Sequence, residues 1–295
     1  MKLVTYVFDD CERIGSLNGD RVVDLREARA LQLLSQGLPA KEAYRKACAD
    51  IPNCMIRFIE GGGEALAVAR ESQEFAIGSE ELGKTVHLLE NVTLKAPVPR
   101  SPMILNMGNA YRPLEIKDFT FKPVTCVIGP NEPIVIPKEI SDFGAVFECE
   151  VGVVIGKKGR RIPNDETAFD HVYGYVVYND ITDYGRQMRG AFDMKIFDTF
   201  CPMGPCIVPR DEIKDPYSLT KRAWVNGQLA TETNTREMLR KIPEFISVPS
   251  RTLTLQPGTV ISTGAANTGR LKPGDILELE ISKIGRMKNP VVAEQ

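Results

Sequence analysis

Beyond residue 102 the sequence breaks into short apolar runs, and that pattern leaves few folds open. "TCVIG", "PIVIP", "CEVGVVIG", "VYGYVVYND", "PCIVP", "RAWVNGQLA", "GTVIST" and "DILELEI" follow one another, separated by Gly, Pro and Asn turns. Many short strands with such turns argue for a β-rich roll, barrel or sandwich. Two helical pieces interrupt them. One lies around "DETAFDH"; the other is "NTREMLRKIPEFISV", which Pro243 is expected to break or kink.

The first part of the chain reads differently. "KLVTYVF" and "RVVDL" flank "SLNGD", whose Asn18-Gly19 pair is a tight-turn signal, so a hairpin is expected there. Helices should follow in "DLREARALQLLSQG", ending on Gly37, in "PAKEAYRKACAD" and in "GGGEALAVARESQEF". The proline-rich "LKAPVPRSP", Leu94 to Pro102, favours an extended connector. The expected class is therefore α+β. A small α/β N-terminal domain would span 1–95 and a larger β-rich domain 96–295.

Composition excludes several functions. A formal charge of −2 offers no overall basic field for nucleic acid, and the basic "GKKGRR" reads as a solvated loop. No apolar run approaches the roughly 20 residues of a membrane span, and the N-terminus lacks the apolar core of a signal peptide. Seven cysteines without a CxxC pair suggest free thiols in a reducing compartment, hence the cytoplasm.

One strand carries an anomaly. In "FECEVGVVIG" side chains alternate faces, so Glu148 and Glu150 point the same way, with α-carbons roughly 6–7 Å apart. A half-exposed strand with its acids in water fits that spacing. The face continues as Gly152, Val154 and Gly156, however, which is not a solvated pattern. If the face is enclosed, the pair either keeps a proton or holds a cation. Mg²⁺ suits carboxylates because it is hard and prefers oxygen. A third oxygen ligand is available in Asp180, which ends the apolar "YVVYND"; a turn or cap role fits it too, and Asp183 competes with it.

Together these segments resemble the fumarylacetoacetate hydrolase superfamily. "FECEVGVVIGKKGRRIP" is similar to its E-x-E metal strand. "GYVVYNDITDYGRQ" is similar to its G-Y-x-x-x-N-D-x-T-x-R-D-x-Q segment. "KIFDTFCPMGPCIVP" is close to K-S-F-D-T-F-C-P-x-G-P, and "LQPGTVISTG…LKPGDILELEISKIG" resembles its C-terminal strands. The resemblance implies a mixed β-roll, homodimers, and Mg²⁺ or Mn²⁺ held by Glu148, Glu150 and Asp180. It also implies that Lys195 reaches the site as a catalytic group, beside a small 2-oxo or β-dicarbonyl acid.

Two places depart from the family pattern. Its G-x-N-Y-x-x-H-x-x-E loop supplies a water-activating histidine, but here the region reads "NMGNAYRPLEIKDF", without one. The two histidines, His87 and His171, lie elsewhere and read as structural. Glu115, Lys117, Arg112 and Tyr111 are the substitutes on offer: Glu115 as a base if desolvated, Arg112 as a carboxylate clamp. After Asp180, Tyr184 and Gly185 replace an Arg and an Asp, with Arg186 and Arg189 nearby and Gln187 retained. The T-G-T-P-x-G-V-G loop becomes "TGAANTGR", retaining Thr263 and Gly264. Tyr111, Arg112, Gln187, Thr263 and Gly264 are thus the expected substrate-binding residues.

The resemblance implies hydrolysis of a C–C bond in an acylpyruvate-type acid through a metal-stabilised enolate. The missing histidine shifts weight toward tautomerisation or isomerisation, decarboxylation, or sugar-acid dehydration. A non-catalytic metal-dependent binding protein is a further alternative.

Overall fold

A computed structural model describes residues 1–78, 85–116 and 118–295. The N-terminus forms a meander of β1 (Leu3–Phe8), β2 (Cys11–Asn18) and β3 (Arg21–Asp24). The Asn18-Gly19 signal does mark a turn, but it joins β2 to β3. The run "KLVTYVF" is one strand earlier. It reaches β2 through Asp9-Asp10, both at positive φ (49° and 55°), as a two-residue turn matching the strand twist requires. That turn lacks the usual glycine, which hid β2 from a reading of the sequence.

Asp24 links the meander to the helices. Its carboxylate accepts from Tyr6 Oη (2.8 Å), Arg13 Nη1 (2.9 Å) and the Glu27 amide (3.0 Å), so one buried acid caps α1 (Leu25–Ser35) and anchors the sheet. The chain leaves α1 through Gly37 at φ 90°, a conformation that favours glycine. Then come α2 (Ala40–Asp50), α3 (Met55–Glu60), which sequence patterning did not anticipate, and α4 (Gly62–Gly78). Two short strands, β4 (Val86–Leu88) and β5 (Thr93–Leu94), return the chain to the meander.

The larger part runs β6 (Ile104–Met107), β7 (Phe119–Lys122), β8 (Val127–Ile128), β9 (Ile134–Ile136), β10 (Ala145–Ile155), β11 (Val172–Asn179), β12 (Thr182–Asp183), α5 (Tyr184–Met188) and β13 (Cys201–Pro209). It continues with β14 (Thr220–Val225), β15 (Gln228–Asn234), α6 (Ile242–Ser250), β16 (Val260–Ser262), β17 (Thr268–Leu271), β18 (Ile276–Ile281) and β19 (Gly285–Ala293). One sheet is ordered β4-β3-β2-β1-β13-β11-β10-β16-β6-β7, and a second β15-β14-β18-β19-β9. The fold is mixed α+β and dominated by sheet. The meander belongs to the first sheet, where Leu3 of β1 pairs with Ile207 of β13. No helix among the described residues is long and apolar enough to cross a membrane.

Two helical expectations change. "DETAFDH" is a 3-10 segment, Glu166–His171. In "NTREMLRKIPEFISV" Pro243 does not break a helix; it occupies the first turn of α6, where a missing N–H costs nothing. The upstream residues form a separate 3-10 turn with an Asn234/Glu237 capping box.

Strand β10 lies between β11 and β16 and is buried along nearly its whole length, which accounts for its apolar character. It also explains Gly152 on the glutamate face. A Cβ there would lie 2.7 Å from Val176 Cγ1 and 3.2 Å from Tyr178 Cβ. Gly152→Ala is therefore expected to lower unfolding stability by about 1–3 kcal/mol through overpacking. Chemical denaturation tests this, and an unchanged midpoint would refute the close-packing account.

Candidate active site

Three acids meet where β10 and the end of β11 run side by side. Glu148 and Glu150 project from β10, and Asp180 follows β11 directly. The Asp180 amide donates to the Glu148 carbonyl (3.1 Å), and the Glu148 amide donates to Asn179 Oδ1 (3.1 Å), so the register between the strands brings the acids together. One ligand oxygen from each lies within 4.8 Å of the others. Asp183, the competing acid, accepts from the Ser141 amide (2.9 Å) and the Arg186 amide (3.1 Å); it caps α5 and is not in this group.

Lysines surround the triad. Lys195, from the 3-10 turn Phe192–Lys195, pairs with Asp180 Oδ2 and, at 3.3 Å, with Glu148 Oε2. Lys122, at the end of β7, lies 3.1 Å from Asp180 Oδ1 with its side chain fully buried. It also donates to the carbonyls of Ile181 (2.8 Å) and Phe200 (2.5 Å). Asn106 of β6 donates to Asp180 Oδ1 (3.1 Å) and accepts from Tyr178 Oη (2.6 Å). Glu150 takes the Gly264 amide at 2.7 Å.

The electrostatics divide the three acids. Burial would raise Asp180, but Lys195 and Lys122 outweigh it and hold the carboxyl below its ordinary value. Burial raises Glu148 against the pull of Lys195. Burial, reinforced by Asp180 and Glu148, pushes Glu150 up to about 8. Lys195 is shifted upward: burial opposes its charge, but Asp180, Glu148 and Glu150 prevail. An all-oxygen triad of buried like charges, one of them driven toward protonation, is the setting that a hard divalent cation relieves. These three side chains could hold such an ion.

A cavity of about 270 Å³ opens onto the triad. It is lined by Glu148, Glu150, Asp180, Lys195, Arg112, Gln187 and Gly264, all named from sequence. Three other expected residues lie outside it. Thr263 is buried and donates to the Val151 carbonyl (2.9 Å). Tyr111 is turned inward, with its ring 4.5 Å from the buried Lys221 Nζ. Glu115 is exposed and is not among the lining residues. Lys117 lies outside the described residues. Arg186 is engaged by Asp183 and Asp193, and neither it nor Arg189 lines the cavity. Neither histidine is near: His87 stacks on Phe8 with ring centroids 4.0 Å apart, and His171 Nδ1 contacts the Lys157 carbonyl at 2.8 Å.

Sequence reading missed several groups. Asn106 and Lys122 were polar residues inside apolar runs, "ILNM" and "FTFK", and that was the available signal. Lys221, in "LTKRAW", is buried and donates to the Gly264 carbonyl (3.4 Å), behind the amide that holds Glu150. Burial lowers its pKa, opposed by Cys149 and Glu150. Asp118, Thr120 and Met194 also line the cavity. A larger cavity, about 690 Å³, lies around Phe169, Tyr173 and Arg210, toward the start of β11. It has the greater volume but not the acidic triad, so chemistry and not size selects the site.

The family profile described as "Fumarylacetoacetate (FAA) hydrolase C-terminal" matches residues 105–292, which include the whole triad and Lys195. The chain belongs to the fumarylacetoacetate hydrolase family. Among its relatives in the family is an oxaloacetate tautomerase, mitochondrial fahd2 of Xenopus laevis, 35% identical over 265 residues, 82% of this chain and 79% of the relative. Another is oxaloacetate tautomerase YisK of Bacillus subtilis, also 35% identical over 265 residues, covering 82% and 87%. A crystal structure of maleylpyruvate hydrolase from Sphingobium sp. SYK-6, in complex with manganese (II) ion and pyruvate, shares the fold with a TM-score of 0.78 and 30% identity over 100% of both chains. The chain is thus a family member with an acidic metal-type site, similar to enzymes that act on small acids.

Proposed function

We propose that this protein is a divalent-metal-dependent keto–enol tautomerase of a small 2-oxo dicarboxylic acid such as oxaloacetate. The observation that carries this reading is the cavity lining: the three triad carboxylates, Asp118, Lys195 and Arg112, with no histidine among its described lining residues. Tautomerisation moves one proton between carbon and oxygen and needs no activated water, whereas hydrolysis does. The 35% identity to oxaloacetate tautomerases supports the same choice.

Glu148, Glu150 and Asp180 would hold the Mg²⁺ or Mn²⁺, which as a Lewis acid polarises a carbonyl oxygen. Lys195 sets a positive charge beside the oxygen on which negative charge develops. Arg112 offers a planar donor fork to a substrate carboxylate, and Gln187 a further amide. Lys122 and Asn106 hold Asp180 in place from behind.

With Mg²⁺ or Mn²⁺ the protein should accelerate interconversion of enol and keto oxaloacetate, followed by ultraviolet absorbance, above the protein-free rate, and EDTA should abolish that acceleration. C–C hydrolysis of an acylpyruvate is the second reading, supported by the likeness to maleylpyruvate hydrolase. Hydrolysis of an acylpyruvate without tautomerase activity would replace the first reading by the second. Binding of 2-oxo acids without turnover would sink both.

A further inference from the structure

A tautomerase must have a group that accepts the proton on the carbon next to the carbonyl, and the family's loop histidine is absent here. The cavity's described side chains narrow the choice. Glu148, Glu150 and Asp180 face one another and are the cation's ligands in the reading above. Lys195 is paired with two of them. A guanidinium such as that of Arg112 is a donor only, and a phenol such as that of Tyr184 is a reluctant base. Asp118 is the remaining carboxylate.

Its placement follows from strand geometry. Residues 118, 120 and 122 alternate to one side at the start of and along β7. Asp118 and Thr120 both line the cavity, and Lys122, two residues on, reaches Asp180 Oδ1 at 3.1 Å. The same face of β7 therefore braces a triad acid at one end and brings a carboxylate to the cavity at the other. Arg112, from the same loop, supplies positive charge to the cavity, which offsets the cost of an anionic base beside an anionic substrate.

We propose that Asp118 is the catalytic residue that takes the C3 proton of the 2-oxo acid. This rests on the tautomerase reading. In the step, the C3–H bond breaks and its proton passes to an Asp118 oxygen. The freed electron pair becomes the C2–C3 π bond, the carbonyl pair moves onto oxygen, and a proton from water completes the enol. Asp118 then returns its proton to water.

The test is hydrogen–deuterium exchange at C3 of pyruvate and oxaloacetate in D₂O with Mg²⁺, followed by proton NMR. Asp118→Asn is nearly isosteric at an exposed position, so the fold should be retained. Exchange is expected to slow about 100-fold or more, while Mn²⁺ and pyruvate affinities stay within about threefold; Asp118→Glu should recover part of the rate. A loss of less than about tenfold, with the wild type active, overturns the Asp118 assignment alone. A rate loss matched by an equal loss of Mn²⁺ binding shows a structural role and also overturns it. A wild type that exchanges neither acid overturns the tautomerase reading, and the assignment with it.

Discussion

Lys195→Met is expected to lower kcat by about 10²–10³, or about 2.7–4 kcal/mol of transition-state stabilisation. The ammonium lies against Asp180 and Glu148 on the cavity wall, so it faces the position where charge develops on a bound carbonyl. Methionine keeps the volume and removes only the charge and its donors. The same substitution should leave Mn²⁺ binding at least as tight as in the wild type, because it removes a cation that competes for two of the ligands. Steady-state kinetics with a parallel Mn²⁺ titration separates the two effects. If kcat and metal affinity fall together, Lys195 is holding the ligands in place and not serving the reaction.

Asp180→Ala should have the largest effect on stability, about 3–5 kcal/mol, because it leaves Lys122 and Lys195 buried without that acid. Glu150→Gln should act in the opposite direction on the metal-free protein as pH rises toward 8, since it removes a carboxyl whose ionisation is opposed by burial and by Asp180 and Glu148. The sign follows from linkage. Glu150 is raised from 4.5 to about 8 in the fold, so the folded chain keeps a proton that the unfolded chain has released. Stability is then full below about 4.5 and falls as pH rises toward 8. Glu150→Gln should flatten that decline, and added Mg²⁺ should offset it in the wild type alone. Urea denaturation across this pH range provides the measurement. A Glu150→Gln protein less stable than the wild type at pH 8 would contradict the repulsion argument.

Local rules carried much of the reading. Alternation along β10 put Glu148 and Glu150 on one face, and the strand-end position of Asp180 made it a candidate third ligand; the three do converge. The start of α1 at Asp24 and its end before Gly37 followed capping and glycine signals. Local signals failed where the deciding contact was distant. Asp9-Asp10 gives no glycine cue for the β1–β2 turn. Pro243 looks like a breaker until the true start of α6 is known. Tyr111 and Glu115 sit in the loop that carries Arg112, yet Tyr111 packs inward over Lys221 and Glu115 is exposed and not part of the cavity lining.

Strand periodicity was enough to give the fold class and to set Glu148 and Glu150 on one face, while Asp180 and Lys195 were singled out by the order of motifs that the chain shares with the family. The remaining groups of the site come together through long-range strand pairing. Lys122 and Asn106 reach Asp180 from β7 and β6, 58 and 74 residues away in sequence, and Asp118 lines the cavity from the start of β7. Their convergence depends on β16 pairing with both β10 and β6, and β6 in turn with β7. Strand order is a long-range choice set by packing and backbone pairing, and no local window of sequence encodes it.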